Sequence, residues 1–200
     1  MKELIVASRN KGKVREIKEL LADLPLKVTS LLDYPHIPDI VEDGTTYQAN
    51  ALKKAVAVAS ATGKMTMADD SGIEVKALGN APGIYSARFA GEGKSEKAKN
   101  RKLFKMLKNV PMFKRQARYR CVIAFVDGNG KKIGVVQGTC GGYITTAERG
   151  SNGFGFDPLF LLKRYNKTFG ELPSSLKAKI SHRARALKKF KVLIGKYRSS

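Results

Sequence analysis

The chain has 200 residues, 42% apolar and 28% charged, which suits a globular protein with a sizeable core and excludes a disordered one. No apolar run approaches the roughly 20 residues of a membrane span, and Leu4 to Ala7 is too short for a signal peptide. Net charge is +21, concentrated in two stretches: 11 Lys or Arg against Glu96 alone from Lys94 to Arg120, and 12 against Glu171 alone from Leu161 to Ser200. Such a field attracts polyanions such as nucleotides, nucleic acid or an anionic surface. Cys121 and Cys140 form no Cys-x-x-Cys and read as buried thiols in a reducing cytoplasm.

Leu4-Ile-Val-Ala7 predicts a buried strand, and Ser8-Arg-Asn-Lys-Gly-Lys13 a polar turn. Val14, Ile17, Leu20, Leu21 and Leu24 then keep helical spacing up to Pro25. The basic loop therefore lies at a helix N-terminus, where free N–H groups and the helix dipole favour phosphate. A short strand around Lys27 to Leu31 and a Pro-rich loop from Tyr34 to Asp39 follow. Thr45 or Thr46 caps a second helix, carrying Ala51, Leu52, Ala55, Val56 and Ala59 and stopping near Gly63. The next strand ends at Asp69-Asp70, with a sharp turn over Ser71-Gly72 before an extended piece from Ile73 to Leu78.

Gly79 to Gly91 is a long turn-rich loop, a length more often functional than idle. Ser95 to Lys108 reads as a helix, and Gln116 to Val126 as a long strand. Asp127-Gly-Asn-Gly130 makes a hairpin returning through Ile133 to Cys140, with another strand at Gly141 to Thr146. A glycine-rich loop spans Gly150 to Pro158, and Ser181 caps a last helix with Ala184, Leu187, Phe190, Leu193 and Ile194 inward. Hairpins mixed with strand–helix units, and no clean boundary, predict one mixed α/β domain over 1–200.

Paired carboxylates at Asp69-Asp70 can hold a hard cation through oxygen ligands. Amid so many lysines and arginines they suggest a polyanionic substrate carried with a divalent metal; a solvated acidic turn is the plainer reading. Gly91-Glu-Gly-Lys-Ser95 mimics a phosphate loop but has Arg88 where the motif needs glycine, and Gly150 to Gly155 has the wrong spacing for a dinucleotide fingerprint. No Gly-x-Ser-x-Gly elbow exists, and two histidines are too few for a typical zinc site. His182-Arg183, with Lys177 and Lys179 just upstream, points to anion or base recognition. Phe154 and Phe156 flank Gly155, where aromatics serve the core or stack on a purine.

Five segments together resemble the inosine triphosphate pyrophosphatase family: Ser8 to Lys13; Glu42-Asp-Gly-Thr-Thr-Tyr-Gln-Ala-Asn-Ala-Leu-Lys-Lys-Ala55; Ala68-Asp-Asp-Ser-Gly72 with Pro82-Gly-Ile-Tyr-Ser-Ala-Arg-Phe89; Gly153-Phe-Gly-Phe-Asp-Pro158; and Ser181-His-Arg183. They run in the family's order over nearly the whole chain. The resemblance implies an elongated, mixed-sheet α/β fold of two lobes with a central substrate cleft, usually a cytoplasmic homodimer. It implies hydrolysis of deaminated purine nucleoside triphosphates (ITP, dITP, XTP) to the monophosphate and pyrophosphate, which cleanses the nucleotide pool. By the same resemblance Ser8, Arg9, Asn10, Lys11, Gly12 and Lys13 bind phosphates, and Lys54 and Ser71 contact the phosphate chain. Glu42 and Asp70 hold Mg²⁺, Asp70 is the catalytic base and Asp69 supports the cluster. Phe154, Gly155, Phe156, Asp157, Lys177, His182 and Arg183 enclose the base and sugar.

One position departs from the family's pattern: Ala49 stands before Asn50 where Glu is typical, so a carboxylate able to steady metal or water is missing. The chemistry itself requires neutralised phosphate charge, an aligned water and a stabilised pyrophosphate leaving group. A donor to O6, from His182 or Arg183, and an acceptor to N1–H, from a carbonyl of the 154–157 loop, would mismatch adenine at both positions. Two other functions compete. A pyrophosphatase for modified pyrimidine nucleotides keeps the chemistry; a basic nucleic-acid binding module explains the charge but not Glu42, Asp69 and Asp70.

Overall fold

The computed structural model describes residues 2–199. In chain order the elements are β1 (Glu3–Val6), α1 (Lys11–Leu20), β2 (Lys27–Ser30), α2 (Tyr47–Thr62), β3 (Thr66–Val75), α3 (Glu96–Met106), β4 (Gln116–Val126), β5 (Lys132–Ile144), β6 (Phe160–Leu162), β7 (Lys167–Thr168), α4 (Ser174–Ile180) and α5 (His182–Ser199). The strands form one mixed sheet in the order β2-β1-β3-β4-β5-β6-β7. β1 runs parallel to β2 (Glu3 opposite Lys27) and to β3 (Ile5 opposite Thr66), while β6 is antiparallel to β5 and β7. Parallel neighbours need helical crossovers, which α1 and α2 supply. The chain is thus mixed α/β, as its pattern predicts.

The fold divides into two compact units, the first of Met1–Asp70, Cys121–Gly138 and Arg183–Ser200, the second of Ser71–Arg120 and Thr139–His182. In the first unit the strands are covered on both faces, and their alternation sorts the core into two clusters. Leu4, Val6, Met67, Cys121, Ile123 and Phe125 pack with Ile17 and Leu21 of α1 and Leu187 and Phe190 of α5. Ile5, Ala7, Ala68, Ala124 and Val126 pack instead with Ala51, Ala55, Val58 and Ala59 of α2. The small residues of α2 let that helix lie close to the sheet. In the second unit Ile73, Val75, Tyr119, Phe160 and Phe169 form the core with Leu103 and Leu107.

Helix starts follow their capping residues. Asn10 accepts a hydrogen bond from the Lys13 N–H at the start of α1, and Thr46 accepts one from the Ala49 N–H at the start of α2. Each such cap is worth about 1 kcal/mol. α2 ends at Gly63, whose φ of +66° is the left-handed conformation that releases the chain.

The structure departs from the sequence pattern at several places. No turn interrupts Asp69 to Gly72: β3 continues unbroken to Val75. Lying between β1 and β4, it has a strand on either side, and this outweighs the local turn preference of Ser71-Gly72. β5 is likewise one strand through Gly141 and Gly142 rather than two, and a Cβ at Gly142 would lie 2.6 Å from the Leu161 carbonyl, so glycine allows β6 to approach. α4, over Ser174–Ile180, carries no periodic apolar pattern strong enough to announce it. Among the described residues no helix is long and apolar enough to cross a membrane, and both cysteines are buried thiols in no disulfide.

Candidate active site

Because β3 stays extended through Asp69-Asp70, its two-residue period turns these neighbouring carboxylates to opposite faces of the sheet. Asp69 shares the face of Met67, toward α1 and α5. Its Oδ1 accepts from Lys13 Nζ at 2.7 Å, and its Oδ2 from Arg183 Nε at 2.9 Å and from the Cys121 thiol at 3.0 Å. Arg183 Nη1 also donates to Glu16 at 2.5 Å. Burial pushes the Asp69 carboxyl up, but Arg183 and Lys13 outweigh it and hold the group well below the usual 3.8. Burial and the Asp69 charge push the Cys121 thiol well above 9.0, so it stays a protonated donor.

Asp70 shares the face of Ala68, toward α2. Its Oδ2 accepts from Asn50 Nδ2 at 3.3 Å and its Oδ1 lies 3.8 Å from Lys54 Nζ. Asn50 and Lys54 are one helical turn apart on α2, so one helix face serves one carboxylate. Asn50 Oδ1 is itself fixed by the Gly44 N–H at 2.8 Å, and a Cβ at Gly44 would come within 2.6 Å of that oxygen. The Asp70 carboxyl is raised above 3.8, chiefly by burial, with Lys54 and Lys13 opposing and Glu42 and Asp69 adding to the rise. Two acids adjacent in the chain thus titrate in opposite directions.

Lys54 Nζ donates to Glu42 Oε1 at 2.5 Å and to the Asp69 carbonyl at 2.9 Å, so one ammonium lies between the Glu42 and Asp70 carboxylates. Among the described residues no group of three or more His, Cys, Asp and Glu side chains is arranged to hold a metal. Two hard carboxylates already sharing one cation still fit Mg²⁺, which uses one or two protein carboxylates and completes its shell with water and substrate phosphates.

The loop before α1 divides its work. Ser8 Oγ accepts from the Asn10 N–H, Asn10 caps the helix, and Lys11, Gly12 and Lys13 form its first turn. Arg9 faces elsewhere: it donates to Asp39 and to the carbonyls of Leu31, Tyr34 and Ile37, pinning the Pro-rich loop. Ser71 is half-buried on β3 just beyond Asp70. Ala49 is exposed in the first turn of α2.

The second unit holds the remaining candidates. Asp157 is buried and accepts from Lys177 Nζ at 2.6 Å, from the Phe154 N–H at 2.9 Å and from the Tyr119 hydroxyl at 3.4 Å. Gly153 makes this possible: its φ is +79°, and a Cβ there would sit 2.1 Å from Asp157 Oδ2. Lys177 also lies 4.9 Å from the centre of the half-buried Phe154 ring, while Phe156 is buried against Phe89 and Gly155 turns the loop at φ +65°. His182 stacks flat on Tyr119, centroids 4.4 Å apart and planes 6° from parallel. His182 and Arg183, adjacent in sequence, therefore serve different clusters.

Four residues take part for which the sequence suggests no role at the site: Glu16, Asn50, Cys121 and Tyr119. Glu16 sits three residues after Lys13 and Asn50 four before Lys54, which are helical neighbours once the anchors are known. Tyr119 and Cys121 are alternate residues of β4, a signal of shared face only.

The Ham1 family model matches residues 4–193. A dITP/XTP pyrophosphatase of Desulforamulus reducens is 49% identical over 187 residues, covering 94% of this chain and 92% of that protein. One of Bacillus licheniformis is 48% identical over 194 residues, covering 97% and 98%. Among solved structures, a HAM1 protein from Coxiella burnetii aligns with a TM-score of 0.88 at 35% identity, and the Staphylococcus aureus Ham1 protein with 0.85 at 38%; each alignment covers 98% of this chain and all of the other.

Proposed function

The chain belongs to the Ham1 family, and on that premise we infer that it hydrolyses deaminated purine nucleoside triphosphates, dITP, XTP and ITP, to the monophosphate and pyrophosphate. The observation that carries the chemistry is the pair Asp69 and Asp70, buried alike and tuned apart. Divergent pKa values in neighbouring carboxylates separate a fixed charge from a proton acceptor.

Asp70 is the general base. Its raised carboxyl accepts a proton from the attacking water more readily than an ordinary aspartate, and Asn50 fixes its orientation. Asp69 keeps its charge and anchors the Lys13 ammonium, which burial would lower but Asp69 raises above 10.5. Lys13 therefore remains a cation in the first turn of α1, where the N–H groups and the helix dipole add attraction for a phosphate. Mg²⁺ held by Glu42 and Asp70 would polarise phosphoryl oxygens and lower the pKa of a bound water.

The base is read, on this proposal, by the second unit's cluster of Phe154, Lys177, Asp157 and His182. Arg183 is a positioning residue, since Asp69 and Glu16 engage its Nε and Nη1. Arg9 supports the loop rather than the phosphates. The protein works as a cytoplasmic homodimer, which sedimentation velocity and fractionation would check.

Pyrophosphate release from ITP, dITP, XTP, GTP and ATP, with and without Mg²⁺, tests the whole reading. The expected result is Mg²⁺-dependent pyrophosphate from the first three, with ATP slower by about 10²-fold or more, because a 6-amino base leaves buried polar partners mismatched. Equal turnover of ATP, or orthophosphate as the product, would overturn it.

A further inference from the structure

Lys54 is buried, 8% exposed, and its ammonium does what a metal ion at this place would do. It neutralises Glu42 at 2.5 Å and Asp70 at 3.8 Å, and is held from behind by the Asp69 carbonyl at 2.9 Å. A divalent cation brought to the same two carboxylates meets a positive charge already seated between them. Coulomb repulsion between a double and a single charge about 4 Å apart disfavours that state by more than about tenfold even in a water-like dielectric. Triphosphate offers the ammonium an alternative anion, and the four-carbon stem of lysine lets it move.

We propose that Lys54 is the resident internal cation of the Glu42–Asp70 pair, so that a divalent metal binds firmly only after substrate phosphate has drawn the ammonium away. Metal and nucleotide then bind cooperatively, with Lys54 as the coupling residue. Without nucleotide the pair keeps Lys54 and holds metal poorly, so it resists loading with stray divalent ions. The idea rests on the metal-holding role assigned above to Glu42 and Asp70, and goes beyond it by making Lys54 the competitor of the metal before it becomes a ligand of the phosphate.

The test measures Mn²⁺ binding to the full-length protein at pH 8 by electron paramagnetic resonance, with no nucleotide present. Lys54→Met keeps the side-chain length and removes the charge; it is expected to bind Mn²⁺ at least about tenfold more tightly than wild type. Lys54→Arg keeps the charge and is expected to bind as weakly as wild type. Equal or weaker binding by a folded Lys54→Met protein overturns the proposal. Should that variant fail to fold, wild type carries the test: saturating Mn²⁺ should speed acylation of the Lys54 amine, read by peptide mass spectrometry against exposed Lys11. An unchanged rate overturns the proposal. Failure of the underlying reading looks different: wild-type turnover would then need no divalent cation at all.

Discussion

Replacing Arg183 by Met separates two roles that adjacent residues could share. The guanidinium is 2% exposed, donates to Asp69 Oδ2 at 2.9 Å and to Glu16 at 2.5 Å, and faces a carboxylate that is itself 1% exposed. Methionine preserves much of the volume but strips one counterion from Asp69. Removing one partner of a buried ion pair costs about 3–5 kcal/mol. Lys13 and the Cys121 thiol still hold Asp69, so the low end, about 3 kcal/mol, applies. For a domain of this size that lowers Tm by roughly 6–12 °C.

The pH dependence follows from the same contacts. In wild type the folded Asp69 carboxyl lies below its unfolded value of 3.8, so its contribution is complete above that value and lost as pH falls through the folded pKa. Without Arg183 the folded pKa rises, and the variant regains relative stability by protonating Asp69 in acid. Urea denaturation at pH 7.5 and pH 4 should therefore show the deficit shrinking as pH falls. Pyrophosphate assays on the same protein should show kcat/KM falling by one common factor for ITP, XTP and GTP, because Arg183 acts through Asp69 on the Lys13 cation. A stability loss below about 1 kcal/mol, well under the cost of breaking a buried pair, would refute the positioning role. So would a deficit confined to 6-oxo nucleotides with N1–H and a free 2-position.

Asp70→Asn should fold and lose at least about 10²-fold in kcat, the range for removing a general base; a folded variant with near-normal kcat would sink that assignment. In wild type, burial places the Asp70 pKa above 3.8, so kcat/KM should fall on acidification with a midpoint above that value, and a midpoint below it would remove Asp70 from the role. Glu3, pulled to about 2 by Lys64, Tyr34 and Thr29, contributes stability that is complete above pH 4.5 and lost between there and pH 2. Glu3→Gln should cost about 1–2 kcal/mol at pH 7, discounted for solvent screening, and almost nothing at pH 2, as paired denaturation curves would show. Ala49 is the third residue of α2 and its N–H is bonded to Thr46, so Ala49→Glu should complete a capping box and add about 0.5–1 kcal/mol. Its Mg²⁺ titration should match wild type; a shifted curve would restore a metal role to the family's usual Glu.

Much of this was legible in the chain. The strand–loop–helix at the start, the Thr46 cap, the Gly63 stop, the hairpin at Asp127 to Gly130 and the last helix are local signals, and each formed, although α1 stops at Leu20 rather than running on through Leu24. The short strands β6 and β7 and helix α4 were not, because they are held by tertiary partners: Leu161 by Tyr143 and Thr168, and Lys177 by Asp157. Arg9 and Arg183 show the corresponding limit for side-chain contacts. A cation near a basic motif reads as an anion binder, yet whether its donors are already engaged depends on chain 22 to 167 residues away.

The Asp69-Asp70 pair shows how one backbone decision carries the rest. If the chain turned after Asp70, as Ser71-Gly72 suggests locally, both acids would share a solvated loop and neither would have a distinct environment. Because β3 continues, alternation sends Asp69 into the Met67 face and Asp70 into the Ala68 face. The first face carries the cations of α1 and α5, the second the amide and ammonium of α2. Burial then has opposite outcomes: two opposing cations overcome it at Asp69, whereas at Asp70 the cations are offset by two further acids and burial prevails. The opposite pKa shifts thus follow from strand period together with the helices that cover each face, and the proposed division into a fixed charge and a proton acceptor rests on them. Exchanging the surroundings should exchange the roles: a cation delivered to the Asp70 face depresses the base, and a cation removed from the Asp69 face raises its partner. The Arg183 substitution probes the second of these, and Lys54→Met the converse of the first, since it removes a cation from the Asp70 face and should raise the base further.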